Sequence, residues 1–141
     1  MRVLALSPPA AIEAAWQQIA DKPDHQVLRP PQIGLAMIRG RIGGSGEPFN
    51  LGEMTMTRAS VQIAASDGSV IIGHGHVAGR SLRHAELTAM FDAMLQDPAR
   101  GPSIDDQVIA PLAAALDRCD AEERARVAPS RVEFFTMVRG D

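Results

Sequence analysis

What this sequence has little of narrows what it can be. It holds one cysteine, Cys119, so no disulfide can close within the chain and nothing argues for secretion. No apolar run approaches the ~20 residues a membrane helix needs, and Met1-Arg2-Val3-Leu4-Ala5-Leu6 is too short for a signal peptide. A cytoplasmic location without membrane contact is the expectation. Lysine is almost missing: thirteen of the 14 Lys and Arg residues are arginine. A GC-rich genome produces that bias, but arginine is also the better residue for fixed, two-point recognition of phosphate or carboxylate. Also missing are a complete catalytic triad, a metal-binding motif and a nucleotide fingerprint, which leaves no self-sufficient active site in view.

What is present fits one domain over residues 1–141. The chain is large enough to bury a real core, and 45% hydrophobic with 22% charged residues is ordinary for a globular protein. A net charge of -3 gives no general reason to expect nucleic acid as a partner. The distribution says more. Arg29, Arg39, Arg41, Arg58, Arg80 and Arg83 stand against only Glu47, Glu53, Asp67 and Glu86 in the central stretch, which is locally basic within an acidic chain.

Ser7-Pro8-Pro9 followed by Ile12, Ala15, Trp16 and Ile19 predicts an amphipathic helix capped by the Ser7 hydroxyl and ended by Lys22-Pro23-Asp24. Short extended segments are expected near Gln26 to Arg29 and Ile33 to Ile42, parted by Pro30-Pro31. Gly43-Gly44-Ser45-Gly46-Glu47-Pro48 is too rich in breakers for regular structure. Strands are expected from Glu53 to Ala64 and from Val70 to Val77, joined by a turn at Asp67-Gly68. Leu87, Met90, Phe91, Met94 and Leu95 predict a helix with one apolar stripe. A further helix starts near Ser103, with Val108, Ile109, Leu112 and Leu116 facing inward and Pro111 kinking it or marking a new start. Asp120 to Arg126 reads as exposed, and Val132 to Val138 as a last strand. The sum is an α+β fold: a mainly antiparallel sheet with a central hairpin, packed against three or four helices.

Three constellations could carry chemistry. In Arg39-Gly40-Arg41-Ile42-Gly43-Gly44-Ser45-Gly46, glycines allow backbone N–H groups to converge on an anion while arginines supply charge. No Gly-Lys-Ser/Thr follows, so it is not a P-loop, and a plain surface turn has the same composition. In His74-Gly75-His76 the two side chains share a strand face roughly 7 Å apart. Two ligands do not make a metal site, and no third sits at a recognisable spacing, so no metal is expected. In Gly79-Arg80-Ser81-Leu82-Arg83-His84-Ala85-Glu86 a predicted helix start could attract an anion, and His84 and Glu86 could transfer protons. An ordinary first helical turn, with Glu86 set for the dipole and Arg83 for solvent, has the same sequence. Cys119, among alanine and leucine in a predicted helix, reads as a structural thiol.

The same stretches resemble the PhnG family. Ile33-Gly34-Leu35-Ala36-Met37-Ile38-Arg39-Gly40-Arg41, then Gly43-Gly44-Ser45-Gly46 and Pro48-Phe49-Asn50-Leu51-Gly52-Glu53, is similar to its central signature, which Thr55 and Thr57-Arg58 continue. Gly73-His74, Gly79-Arg80 and Arg83-His84-Ala85-Glu86-Leu87 resemble a second block, and Phe134-Phe135-Thr136-Met137-Val138-Arg139-Gly140 a C-terminal one. Ala59 stands where family members often carry cysteine, and His76 where they often carry an aromatic residue. Met1 to Leu6 resembles the middle of the family's first helix, so the true N-terminus is expected upstream.

The resemblance implies a subunit of the carbon–phosphorus lyase core complex, working with the other subunits in phosphonate use. That complex displaces adenine from ATP with an alkylphosphonate, giving a ribose 1-phosphonate 5-triphosphate; radical and iron–sulfur chemistry belongs to a different subunit. The chain is expected to bind no cofactor alone, with ATP as a substrate of the complex. Arg39, Arg41, Arg58, Arg80 and Arg83, with Gly43, Gly44 and Gly46, are the candidates for phosphate or inter-subunit contacts. His84 and Glu86 are the candidates for proton transfer. A purely structural partner that docks through its Arg and Gly motifs is the alternative, since interface cores enrich arginine. An independent small-molecule enzyme fits less well, because no constellation is complete.

Overall fold

The computed structural model describes residues 1–130. A short helix α1 (Arg2–Leu6) leads into α2 (Pro9–Gln18). Three strands follow, β1 (His25–Arg41), β2 (Pro48–Ala64) and β3 (Val70–Ala78), forming one antiparallel sheet in the order β1-β2-β3. Helix α3 (Leu82–Gln96) crosses the sheet, and α4 (Gly101–Ile104) runs through a π turn into α5 (Ala110–Val127). The architecture is the expected α+β fold with an antiparallel sheet and a central hairpin. The strand expected from Val132 to Val138 lies outside the described residues.

One face of the sheet makes the core. Thr57, Ala59, Val61 and Ile63 alternate inward along β2, and Gly73, Gly75 and Val77 do so along β3. Against them lies α3, which is buried nearly all round, from His84 and Ala85 to Met94. The single apolar stripe expected there is therefore too narrow: α2 covers a second side, with the Trp16 ring edge-on to Phe91 at 5.6 Å and 84°. A helix enclosed on several sides has no polar face to conserve. The approach of α3 to β3 is set by glycine. A Cβ on Gly73 would overlap the backbone of Ala89 and Ala93, and one on Gly75 the carbonyl of Ala85. Ala85, Ala89 and Ala93, spaced at i, i+4 and i+8, form the smooth helix side that fits this bare strand.

Several local expectations are corrected. The Ser7 hydroxyl does not cap α2; it donates backwards to the Val3 carbonyl at 2.8 Å, closing α1. The prolines do not divide the first extended region. Instead β1 runs unbroken for 17 residues, and Pro30-Pro31 fall where the register shifts between Arg29 and Gln32. Among the described residues β1 is an edge strand, so one proline's missing N–H costs no ladder bond on the outer side, and the register shift leaves the other without a paired position. β2 begins at Pro48 instead of Glu53, because the long β1 supplies partners as far as Arg41. Proline at position 111 marks the fresh start that was one of its two expected outcomes: α5 begins at Ala110 with Pro111 in its first turn, directly after a π turn at Asp105–Ile109. A proline that cannot donate and crowds the carbonyl four residues back is relieved by widening the preceding turn. Val108 is buried and Leu112 packs on the core, whereas Cys119 is exposed on α5 and not a core thiol.

One buried carboxylate ties the end of α3 to the rest. The side chain of Asp97 is wholly enclosed and accepts from Ser66 Oγ at 2.6 Å, the Ala99 N–H at 3.1 Å and Arg100 Nη1 at 2.6 Å. Arg100 reaches on to Asp21 at 3.0 Å. The Ser66 hydrogen bond first, then those from Ala99 and Arg100, hold the Asp97 carboxyl below its usual range against the opposing effect of burial. With the folded-state pKa below the unfolded one, this group's stabilisation is complete above the ordinary carboxylate range and fades as pH falls through the folded value. Asp97→Asn should therefore lower the melting temperature at pH 7, with the gap to wild type closing toward pH 3. A gap that stays constant across that range would remove Asp97 from the account.

Candidate functional site

The residues singled out in the sequence fall at separate places. Arg39 and Arg41 lie near the end of β1, where β1 and β2 continue beyond β3 as a two-stranded arm. At its tip a 3₁₀ turn, Ile42–Gly44, uses left-handed backbone at Gly43 (φ 61°) and Gly44 (φ 78°), which glycine adopts without strain. Arg41 Nη1 donates to the Gly46 carbonyl at 2.9 Å, and the Gly46 N–H is taken by the Ile42 carbonyl at 3.0 Å. Arg39, Gly40, Arg41, Gly44 and Pro48 line a shallow, open hollow of about 470 Å³.

The second block divides at the start of α3. Arg80 is exposed just before the helix. Arg83 is held between two carboxylates, Nε to Glu13 Oε2 at 3.0 Å and Nη1 to Glu86 Oε2 at 3.1 Å, so it clasps α2 to α3. The Glu13 hydrogen bond first, with that of Glu86, raises the Arg83 pKa still further above its ordinary value. Glu86 is half-buried. His84 faces the other way: it is 5% exposed, with Nε2 2.7 Å from the Leu4 carbonyl. His84 and Glu86 are thus not brought together, as their spacing of two on a helix requires.

Arg58 belongs to a third place, the open face of the sheet. Strand alternation that sends Thr57, Ala59 and Val61 into the core turns Arg58 and Ser60 outward. The same rule on β3 turns His74 and His76 outward, because Gly73 and Gly75 occupy the packed face. Register then sets Arg58 beside His76 and Ser60 beside His74. Ser60 Oγ is 3.0 Å from His74 Nδ1. From β1, Arg29 is opposite Ser60. Leu28, Arg29, Arg58, Ser60, Ile72, His74 and His76 surround a hollow of about 320 Å³. The two-histidine spacing was visible in the sequence, but Arg29 and Ser60 were not singled out; only pairing across three strands joins them to Arg58.

The most unusual surface is β1 itself. None of its 17 residues is buried, although apolar side chains recur along it. Leu35 is 66% exposed and Met37 50%; across the arm, Leu51 is 61% exposed. Exposed apolar residues recurring along an edge that no described strand pairs are characteristic of interaction surfaces. The β3 edge, by contrast, is closed by α3: Asp92 accepts from the His74 N–H at 2.9 Å and Gln96 donates to the Ile72 carbonyl at 3.1 Å. No helix among the described residues is long and apolar enough to cross a membrane.

Comparison with known proteins identifies the family. The family described as "Phosphonate metabolism protein PhnG" matches residues 1–140. One relative is 42% identical over 144 residues, covering 100% of this chain and 87% of the relative. It is named "Alpha-D-ribose 1-methylphosphonate 5-triphosphate synthase subunit PhnG" and comes from Rhizobium meliloti (strain 1021).

Proposed function

The chain belongs to the PhnG family, and we propose that it serves as the PhnG subunit of an alpha-D-ribose 1-methylphosphonate 5-triphosphate synthase in phosphonate metabolism. In this reading it contributes to transfer of a phosphonate onto the ribose C1 of ATP with release of adenine, and is inactive alone. The observation that carries it is β1: a 17-residue edge strand with no buried residue and a row of exposed apolar side chains. Such a strand is stable in water at a cost and becomes ordinary once a partner covers it. Partner subunits are therefore assigned to the β1–β2 arm, where Arg39, Arg41 and the Gly43 to Gly46 turn supply the polar contacts.

Of the two proton-transfer candidates, Glu86 keeps a partly open carboxylate, while the geometry of His84 favours a structural role. Removing its imidazole leaves the Leu4 carbonyl unpaired in the core, which costs about 1–3 kcal/mol. The test substitutes Arg83→Gln, His84→Ala and Glu86→Gln singly and measures complex assembly and adenine release separately. Loss of adenine release with assembly intact in Glu86→Gln or Arg83→Gln supports a contribution to the reaction. Normal release in both, with assembly intact, removes this block from the site. A purely structural subunit is the second reading, favoured by the Arg83 clasp between α2 and α3, and it predicts that release falls only when assembly falls.

A further inference from the structure

We propose that the open face of the sheet holds a phosphorus oxyanion, a phosphoryl or phosphonyl group, bound between Arg29 and Arg58 with His74 and His76 beside them. That the anion carries phosphorus rests on the synthase reading above; that an anion binds there rests on the geometry. Four side chains that can carry positive charge, contributed by all three strands, border one hollow of about 320 Å³ with no carboxylate among the described residues of its lining. Asp92 on the adjoining helix is engaged by the His74 backbone N–H at the strand edge, 2.9 Å away.

The contrast is with the four arginines that the fold itself neutralises. Arg83, Arg100, Arg124 and Arg126 each sit within 4.0 Å of a carboxylate. Arg29 and Arg58 pair with none among the described residues, and they border the same hollow, where like charges repel. Such a grouping raises the energy of the unliganded face and lowers it when a multivalent anion arrives. Each guanidinium presents five N–H donors. Ser60 Oγ engages His74 Nδ1, which fixes that ring and leaves Nε2 for a ligand. Two forks and two imidazoles offer more donors than a flat carboxylate can accept, whereas a tetrahedral oxyanion can use them from several directions.

The floor is small by construction. Ser60, opposite Arg29 and two residues along β2 from Arg58, is the small side chain of its lining, and beyond it Gly34, opposite Met56, has nothing within 4 Å of where a Cβ would stand. A second depression of about 350 Å³, lined by Gly34, Leu35, Ala36, Met56, Arg58 and His76, joins the first through Arg58 and His76. The bound group can therefore be part of a longer molecule lying along the face.

The test titrates the full chain, alone and in the assembled complex, with tripolyphosphate and, separately, with methylphosphonate. Heat of binding and the imidazole resonances of His74 and His76 are followed at fixed ionic strength. Saturable binding of either probe that shifts both imidazoles is expected. Arg58→Gln and Arg29→Gln should each weaken it about ten-fold, equivalent to about 1.4 kcal/mol. Arg118→Gln, on α5 and far along the chain from the sheet, should leave it unchanged. Preference for tripolyphosphate assigns the triphosphate end of the substrate to this face, and preference for methylphosphonate the phosphonate. Absence of saturable binding, or equal affinity in all variants, overturns the site. Unchanged anion affinity with lost assembly in Arg29→Gln or Arg58→Gln also overturns it, and makes the face a protein interface while the subunit reading stands. Failure of the wild-type chain to assemble at all would count against the subunit reading instead.

Discussion

Gly75→Val is expected to prevent folding or to cost at least about 3 kcal/mol, at the upper end of overpacking and beyond, because the clash is with helix backbone and not with a movable side chain. The new Cβ would overlap the Ala85 carbonyl and lie 2.9 Å from the Ala89 nitrogen, so α3 would have to leave β3. Leaving is not a local event. Phe91, Met90, Leu87 and Met94 are all fully buried on the same helix, and Trp16 packs on Phe91. The matched control is Gly34→Ala on β1, where nothing lies within 4 Å and the backbone is extended. That change should be neutral or stabilise by under about 1 kcal/mol. Thermal unfolding and soluble yield of the two variants side by side read the difference. A Gly75→Val chain that melts with wild type would mean that α3 does not rest on β3 as described.

Leu35→Asp combined with Met37→Asp should leave the isolated fold nearly unchanged and abolish assembly. Both side chains are at least half exposed, so their removal from the free chain costs no more than about 0.5 kcal/mol each. In the assembled state the same positions would enclose two carboxylates without partners, which costs several kcal/mol. A loss of at least about a hundred-fold in partner affinity, about 2.7 kcal/mol, is the expected size. Co-purification of partner subunits and the melting temperature of the free variant separate the two effects. Normal assembly would move the interface off the arm and leave the exposed apolar edge of β1 without an explanation.

Much of the fold was legible before any coordinate. The Asp67-Gly68 turn forms as its residues dictate: Gly68 takes φ 83°, and Asp67 accepts from the Ser69 N–H at 2.8 Å. The helix over Ile12, Trp16 and Ile19 buries the positions its periodicity named. These are short-range outcomes, in which a turn residue or a repeat of 3.6 carries its own instruction. Where local signals are overridden, a distant neighbour decides. Pro30-Pro31 end a strand in isolation, yet the long β2 beside them keeps β1 continuous by pairing with Arg29 and Gln32 across a register shift that skips both prolines.

The candidate site divides along the same line. Sequence alone determined the family, the basic central stretch and the alternation in Gly73-His74-Gly75-His76, because each is a property of neighbouring residues. It could not determine that the two glycines press on α3 while the two histidines meet Arg58 and Arg29 on the opposite face. Nor could it separate Arg83, neutralised by Glu13 seventy positions away, from Arg58, which no described carboxylate meets. Charge pairing and strand register act through space between residues remote in the chain. Only the tertiary structure decides which arginines are satisfied within the fold and which remain for a ligand or a partner.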